Sequence, residues 1–171
     1  MKIMFASDIH GSAYYARLVK ERFIEEKADK LVLLGDLLYH GPRNDLPREY
    51  APKQVIDILN SLSEYILCVR GNCDSEVDQM VLNFPIMADY IVMYLDGKEL
   101  YITHGHKFNT KNLPSIKKGT YLMNGHTHVS ANEEINGIIY LNPGSVSIPK
   151  ENTGHSYMIY ENGEFTLKNI E

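Results

Sequence analysis

The sequence predicts an α/β protein of two packed mixed β-sheets flanked by helices, and three observations carry that expectation. The first half alternates short apolar runs with amphipathic stretches, which is the pattern of parallel βαβ units. The second half loses the helical period and places Asp-Gly and Asn-Gly pairs between apolar runs, which is the pattern of hairpins. The 171 residues suit one domain, 1–171, large enough for a real core.

Ile3 to Ser7 reads as a buried strand. Ser12 caps a helix running to about Lys27, with Ala16, Val19, Phe23 and Ile24 at helical spacing. Leu31 to Leu34 is a second strand, apolar on both faces, and strand–helix–strand at this spacing makes the two parallel. Leu38 to Tyr50 holds two prolines and no period, so it reads as a loop. Pro52 suits the first turn of a helix whose core face is Val55, Ile56, Leu59 and Leu62. Tyr65 to Val69 is the third strand, and Ser75 caps a short helix through Val81 and Leu82. Tyr90 to Leu95, Asp96-Gly97 and Lys98 to Thr103 form a hairpin. Strands follow at Tyr121 to Asn124, Ile138 to Leu141, Ser156 to Tyr160 and Phe165 to Lys168, with Asn136-Gly137 and Asn162-Gly163 as further turn pairs.

A hydrophobic share of 44% and a charged share of 23% fit a globular chain. No apolar run approaches the ~20 residues of a membrane span. Met1-Lys2 leads straight into a strand, so no signal peptide is expected. Cys68 and Cys73 lie too close in sequence for a useful staple, and a cytoplasmic location is expected. A net charge of −5 argues against nucleic acid as a routine partner. Lys107, Lys111, Lys117 and Lys118 form the densest basic run and read as a solvated loop.

Polar residues end the apolar runs in a repeating way. Asp8-x-His10 follows the first run, Gly35-Asp36 the second and Gly71-Asn72-Cys73-Asp74 the third. Thr103-His104-Gly105-His106 and Gly125-His126-Thr127-His128 close two later ones. Taken singly, these read as strand-end hydrogen-bonding pairs, turns or helix caps. Together they place five of the seven histidines where ligands bind in open α/β sheets, outside the carboxyl ends of the strands. In a strand, residues two apart share a face, so each Asp-x-His and His-x-His pair is expected to aim two ligands one way. Gly35, Gly71 and Gly125 permit close backbone approach beside them.

The donors, two carboxylates, one amide and four or five imidazoles, exceed what one ion can use. Oxygen and nitrogen without thiolate suit Mn²⁺, Zn²⁺, Fe²⁺ or Ni²⁺ better than Ca²⁺ or an iron–sulfur cluster. Two divalent ions from this group are expected. Asp36, alone on its strand, is the candidate bridge.

The ordered set from Asp8 to His128 resembles the calcineurin-like metallophosphoesterases, whose fold is a four-layer α/β/β/α sandwich. Residues 38–44, 69–79 and 142–150 resemble the bacterial YfcE-type phosphodiesterases within that family. The resemblance implies that Asp8, His10 and His128 hold one metal, that Asn72, His104 and His126 hold the other, and that Asp36 bridges them with a water or hydroxide. Ions ~3.5–4 Å apart activate that hydroxide for in-line attack on phosphorus. Small phosphodiesters are the implied substrates, with no covalent enzyme intermediate and no Gly-x-Ser-x-Gly nucleophile motif. His106 is expected to touch phosphate or support a ligand.

Many family members carry a histidine after the asparagine, as general acid for the leaving group; Cys73 stands there instead. A thiol of pKa ~8.5 is an untried substitute, so leaving groups that depart without protonation, such as aryl ones, are expected. Asp74 is expected to orient a neighbour, often the Asp-x-His histidine, or to cap the next helix. His40, Arg43 and Asn44 are candidate substrate contacts, or part of a polar loop against a partner subunit. Asn142-Pro143-Gly144-Ser145 reads as a turn near the site.

A phosphomonoesterase or nuclease would use the same chemistry, and the lack of a stacking platform weighs against the nuclease. A protein-binding scaffold, as some relatives of the fold are, predicts missing ligands, whereas all seven positions are filled here. A homodimer or higher homo-oligomer is expected from the family and from tyrosines on edge strands.

Overall fold

Two five-stranded sheets carry the chain, and a computed structural model describes all its residues, Met1–Glu171. The strands are β1 (Ile3–Ala6), β2 (Lys30–Leu33), β3 (Ile66–Cys68), β4 (Ile91–Leu95), β5 (Lys98–Ile102), β6 (Tyr121–Met123), β7 (Ala131–Ile135), β8 (Ile138–Asn142), β9 (Ser156–Glu161) and β10 (Glu164–Asn169). The helices are α1 (Ala13–Glu25), α2 (Pro52–Asn60) and the single turn α3 (Glu76–Gln79). The first sheet runs β10-β9-β1-β2-β3 and the second β4-β5-β6-β8-β7. β1, β2 and β3 are parallel, as the βαβ spacing predicts. β5, β6 and β8 are parallel in the second sheet, with antiparallel β4 and β7 at its edges.

The pleat of the first sheet sorts its apolar residues into two cores. Met4, Ala6, Leu31, Leu33, Tyr157 and Ile159 face α1 and α2, meeting Ala16, Val19, Val55 and Leu59. Ile3, Phe5, Val32, Leu34, Met158 and Tyr160 face the second sheet, meeting Leu100, Ile102, Met123 and Leu141. Burial on both faces is why these strands read as continuous apolar runs rather than as alternation. The outer face of the second sheet, with Leu122, Ile138 and Tyr140, is covered by Ile116 from the segment between β5 and β6. The fourth layer is thus irregular chain, since that segment, rich in Asn and Lys, has no apolar period to make a helix.

Ser12 caps α1 through the Tyr15 amide, and Pro52 opens α2. All three turn pairs have both residues at positive φ: Asp96-Gly97, Asn136-Gly137 and Asn162-Gly163. That backbone is the one tight hairpins favour. β7 is the one strand with no sequence expectation. Ala-Asn-Glu-Glu-Ile lies on an exposed edge and shows no apolar alternation; its only signal is the Asn136-Gly137 turn behind it. α3 stops well short of Leu82. Its capping box of Ser75 and Asp78 forms, but the Gln79 side chain then binds the Leu82 and Phe84 carbonyls and the Ile86 amide. The chain thus leaves the helix and bends at Asn83 and Phe84, so that Leu82, Phe84 and Ile86 enter the helix-side core. No helix is long and apolar enough to cross a membrane.

Candidate metal centre

The carboxyl ends of five parallel strands, β1, β2 and β3 of one sheet and β5 and β6 of the other, meet at one cleft. Asp8 and His10 follow β1, Asp36 follows β2, Asn72 follows β3, His104 follows β5, and His126 and His128 follow β6. Their donor atoms form two groups, Asp8, His10 and His128, and Asp36, His104 and His126, and a third group of His10, Asp36 and Cys73 overlaps both. Asp36 Oδ2 lies between them, 3.7 Å from His10 Nε2 and 3.4 Å from His104 Nε2. Asn72 Oδ1 lies 3.1 Å from His104 Nε2. The structure therefore brings together all seven residues expected to ligate metal.

The pairs converge for a reason other than strand pleating. Asp8, His10, Asp36, His126 and His128 all have positive φ, between 50° and 65°. Residues with a Cβ seldom adopt this left-handed backbone, and it concentrates at functional sites. The paired ligands sit in coils beyond the strand ends, so the same-face expectation gives way to alternate left-handed residues that curl the chain around one point. Two glycines make room for the coils. A Cβ on Gly71 would lie 2.1 Å from Asp36 Oδ1, and one on Gly125 would lie 2.0 Å from Ser7 Oγ.

Three of the four imidazoles are aimed by their other nitrogen. Nδ1–H of His10 donates to the Tyr39 carbonyl at 2.8 Å, that of His104 to Leu34 at 2.6 Å and that of His128 to Ile148 at 2.8 Å. A carbonyl only accepts, so the tautomer follows, and each Nε2 turns a lone pair inward. The result is a crowd of acceptors. Nε2 of His10 and of His128 are 3.2 Å apart, and Nδ1 of His126 is 3.2 Å from His104 Nε2.

Asp8 is nine-tenths and more buried, and its two oxygens differ. Oδ2 accepts from Ser7 Oγ at 2.6 Å and from the His126 amide at 3.0 Å. Oδ1 is buried without a hydrogen-bond partner and faces His128 and His10 at 3.2 and 3.5 Å. A buried bare carboxylate oxygen costs free energy unless a cation meets it. The donor set thus fits divalent metal. Protons compete for the same lone pairs. Burial opposes charge on His104, yet Asp36 and Asp8 raise its pKa to about 9. Burial and the charge of His104 push His126 down to about 4.

Other expected residues fall differently. Asp74 neither orients a histidine nor caps a helix, since Ser75 caps α3. Its buried carboxylate accepts the amides of Asp36, Leu37 and Gly71 at 2.8, 2.9 and 2.7 Å. It thereby ties the Asp36 turn to the Asn72 turn. Burial and the charge of Asp36 push its pKa up while the three amides oppose them. Cys73 lines the cleft, its amide held by Asp36 Oδ1 at 2.8 Å. Burial and Asp36 push its thiol up to about 12.

Arg43 and Asn44 line the cleft with Pro42. The Asn44 amide is spent on the His40 carbonyl at 2.8 Å. His40 itself stands off the cleft, its ring edge-on to Tyr39 and Tyr50. The ring of His106 sits 5.4 Å from that of His104, outside the cleft lining, with Nδ1 buried and unpartnered.

Sequence reasoning missed the braces. Ser145 Oγ and Ser147 Oγ both donate to the Asp8 carbonyl at 2.8 Å. Asn142 Nδ2 donates to the Gly125 carbonyl at 2.9 Å. Lys150 reaches the cleft rim, and its amide donates to the His128 carbonyl at 3.0 Å. The signal for Asn142 and Ser145 was the turn Asn142-Pro143-Gly144-Ser145, read from the sequence as near the site but without a role.

Comparison with known proteins gives consistent findings. The family model described as a calcineurin-like phosphoesterase superfamily domain matches residues 1–164. The chain is 49% identical to the phosphodiesterase YfcE of Escherichia coli K12 over 95% of its own length and 88% of the relative's. It is 28% identical to a phosphodiesterase of Methanocaldococcus jannaschii over 84% and 83% of the two chains. The solved structure of the E. coli phosphoesterase superposes with a TM-score of 0.96 at 47% identity, covering 99% of this chain and 93% of that one. A zinc complex of Vps29 from Entamoeba histolytica shares the fold alone, with a TM-score of 0.58 at 19% identity, covering 98% of this chain and 97% of that one.

Proposed function

Because the chain belongs to the calcineurin-like phosphoesterase superfamily, we propose that it hydrolyses small phosphodiesters with two divalent metal ions, Mn²⁺ foremost. One observation carries the reading: two three-residue donor groups lie side by side, one holding the bare Oδ1 of Asp8 and the other containing Asp36, which also reaches His10 of the first. Asp8, His10 and His128 would hold one ion, and Asn72, His104 and His126 the other, with Asp36 shared. When bound, such ions offset charge on the phosphate oxygens and acidify water.

The chain's own residues do the rest. Arg43 and Lys150 at the rim draw in the anionic diester. The space over the ligands is narrow, about 40 Å³, which suits a phosphoryl group without bulk. The water oxygen forms a bond to phosphorus and its proton passes to solvent, while the P–O ester bond breaks and the ester oxygen departs with that bond's electrons. Cys73, the thiol beside Asn72, is a poorer proton donor than an imidazole, so leaving groups stable as anions are favoured.

The test is hydrolysis of bis-p-nitrophenyl phosphate by the protein supplied with Mn²⁺, and again after chelation. The expected result is turnover that chelation abolishes and Mn²⁺ restores. No rate above background in either sample would favour a non-catalytic scaffold.

A further inference from the structure

We propose that the pocket on the far side of His126 binds the retained arm of the substrate and selects a short arm carrying a carboxylate or phosphate, with Lys111 as its recognition residue. The inference rests on the phosphodiesterase reading. His126 lines two spaces. One is the narrow cleft over the ligands. The other has a volume of about 190 Å³ and is lined by Asn109, Thr110, Lys111, Thr127 and Tyr140. A diester at the ligands has two substituents. One leaves past Cys73 and Arg43, and the roomier space takes the other.

The chemistry of that space is directional. It contains one cation and no carboxylate. Lys111 has no ion-pair partner, whereas Lys107 and Lys117 of the same loop pair with Asp89 and Glu99. The backbone that carries this exposed side chain is fixed: the Lys111 amide donates to Asn109 Oδ1 at 2.9 Å, and Asn109 Nδ2 donates to the Gly105 carbonyl at 2.9 Å. Beyond Thr127 and Tyr140 the groove continues to Glu133 and Glu151. A negative group is therefore matched beside Lys111 and repelled one step farther out, which limits the length of the arm.

The experiment uses the Mn²⁺-loaded protein and three p-nitrophenyl phosphodiesters, with retained arms of carboxyethyl, its neutral amide carbamoylethyl, and a long carboxyalkyl chain. Wild type is expected to show a KM about two- to fivefold lower for carboxyethyl than for carbamoylethyl, the scale of one exposed ion pair. The long arm should show no such advantage. Lys111→Gln is expected to erase the difference and Lys111→Glu to reverse it. Arg43→Gln, on the opposite rim, should weaken both short substrates alike. Equal KM ratios in wild type and Lys111→Gln would overturn the pocket assignment while leaving the phosphodiesterase reading standing. Absence of hydrolysis of every diester would overturn both.

Discussion

Asp74 is the most informative residue to change, because it joins the turns that carry Asp36 and Asn72 without facing the cleft. Its Oδ2 accepts two amides, those of Asp36 and Gly71, and its Oδ1 accepts that of Leu37. In Asp74→Asn the side-chain oxygen can keep the two-amide position, and the new NH₂ then meets the Leu37 amide donor to donor. One buried bond is lost and the other two lose their charge assistance, for a cost of about 2 kcal/mol. Asp74→Ala leaves three buried amides unpaired, at about 1 kcal/mol or more each, a large part of the ~5–15 kcal/mol that holds a domain. Urea unfolding of metal-stripped protein, followed by far-ultraviolet circular dichroism, measures both. With a slope of about 2 kcal/mol per molar urea, the Asn midpoint should fall by about 1 M and the Ala midpoint by more. The Asn variant should also bind metal about 10- to 100-fold more weakly, since the turns carrying Asp36 and Asn72 are loosened. A midpoint for Asp74→Asn indistinguishable from wild type would refute the argument that the carboxylate joins these turns.

Three other outcomes are expected. Glu26 accepts from Tyr157 and Lys168 and pairs with Lys2; burial opposes its charge, but Lys168, Lys2 and Tyr157 hold its pKa at about 2. A depressed folded pKa contributes stability above the ordinary value and loses it as pH falls through the folded one. Glu26→Gln should thus cost about 1–2 kcal/mol at pH 7 after allowance for screening. The gap in thermal or urea stability should close between about pH 4.5 and pH 2; a gap constant over that range would contradict the pairing. Gly125→Ala forces a Cβ to within 2.8 Å of Asp8 Oδ2 as well as onto Ser7 Oγ, so bound metal per chain, measured by elemental analysis, should drop sharply. Across aryl diesters, turnover should fall as leaving-group pKa rises, because a thiol replaces an imidazole at Cys73; a flat series would count against this.

The chemistry was legible in the residues themselves. Seven donors after apolar runs marked the residues that the fold gathers into one cleft, and the turn pairs Asp96-Gly97, Asn136-Gly137 and Asn162-Gly163 named the hairpins, because donor type and turn backbone are local properties. The fate of Asp74 was not legible, nor were the Ser145 and Ser147 braces on the Asp8 carbonyl or the strand β7. A carboxylate or hydroxyl can accept or donate almost anywhere, and which amide it meets depends on chain brought from as far as 139 residues away. The left-handed backbone at Asp8, His10, Asp36, His126 and His128 likewise lies beyond sequence, since Asp and His tolerate it better than most residues with a Cβ but that weak preference does not select these five. Packing of the two sheets holds it there, and that is a property of the folded whole.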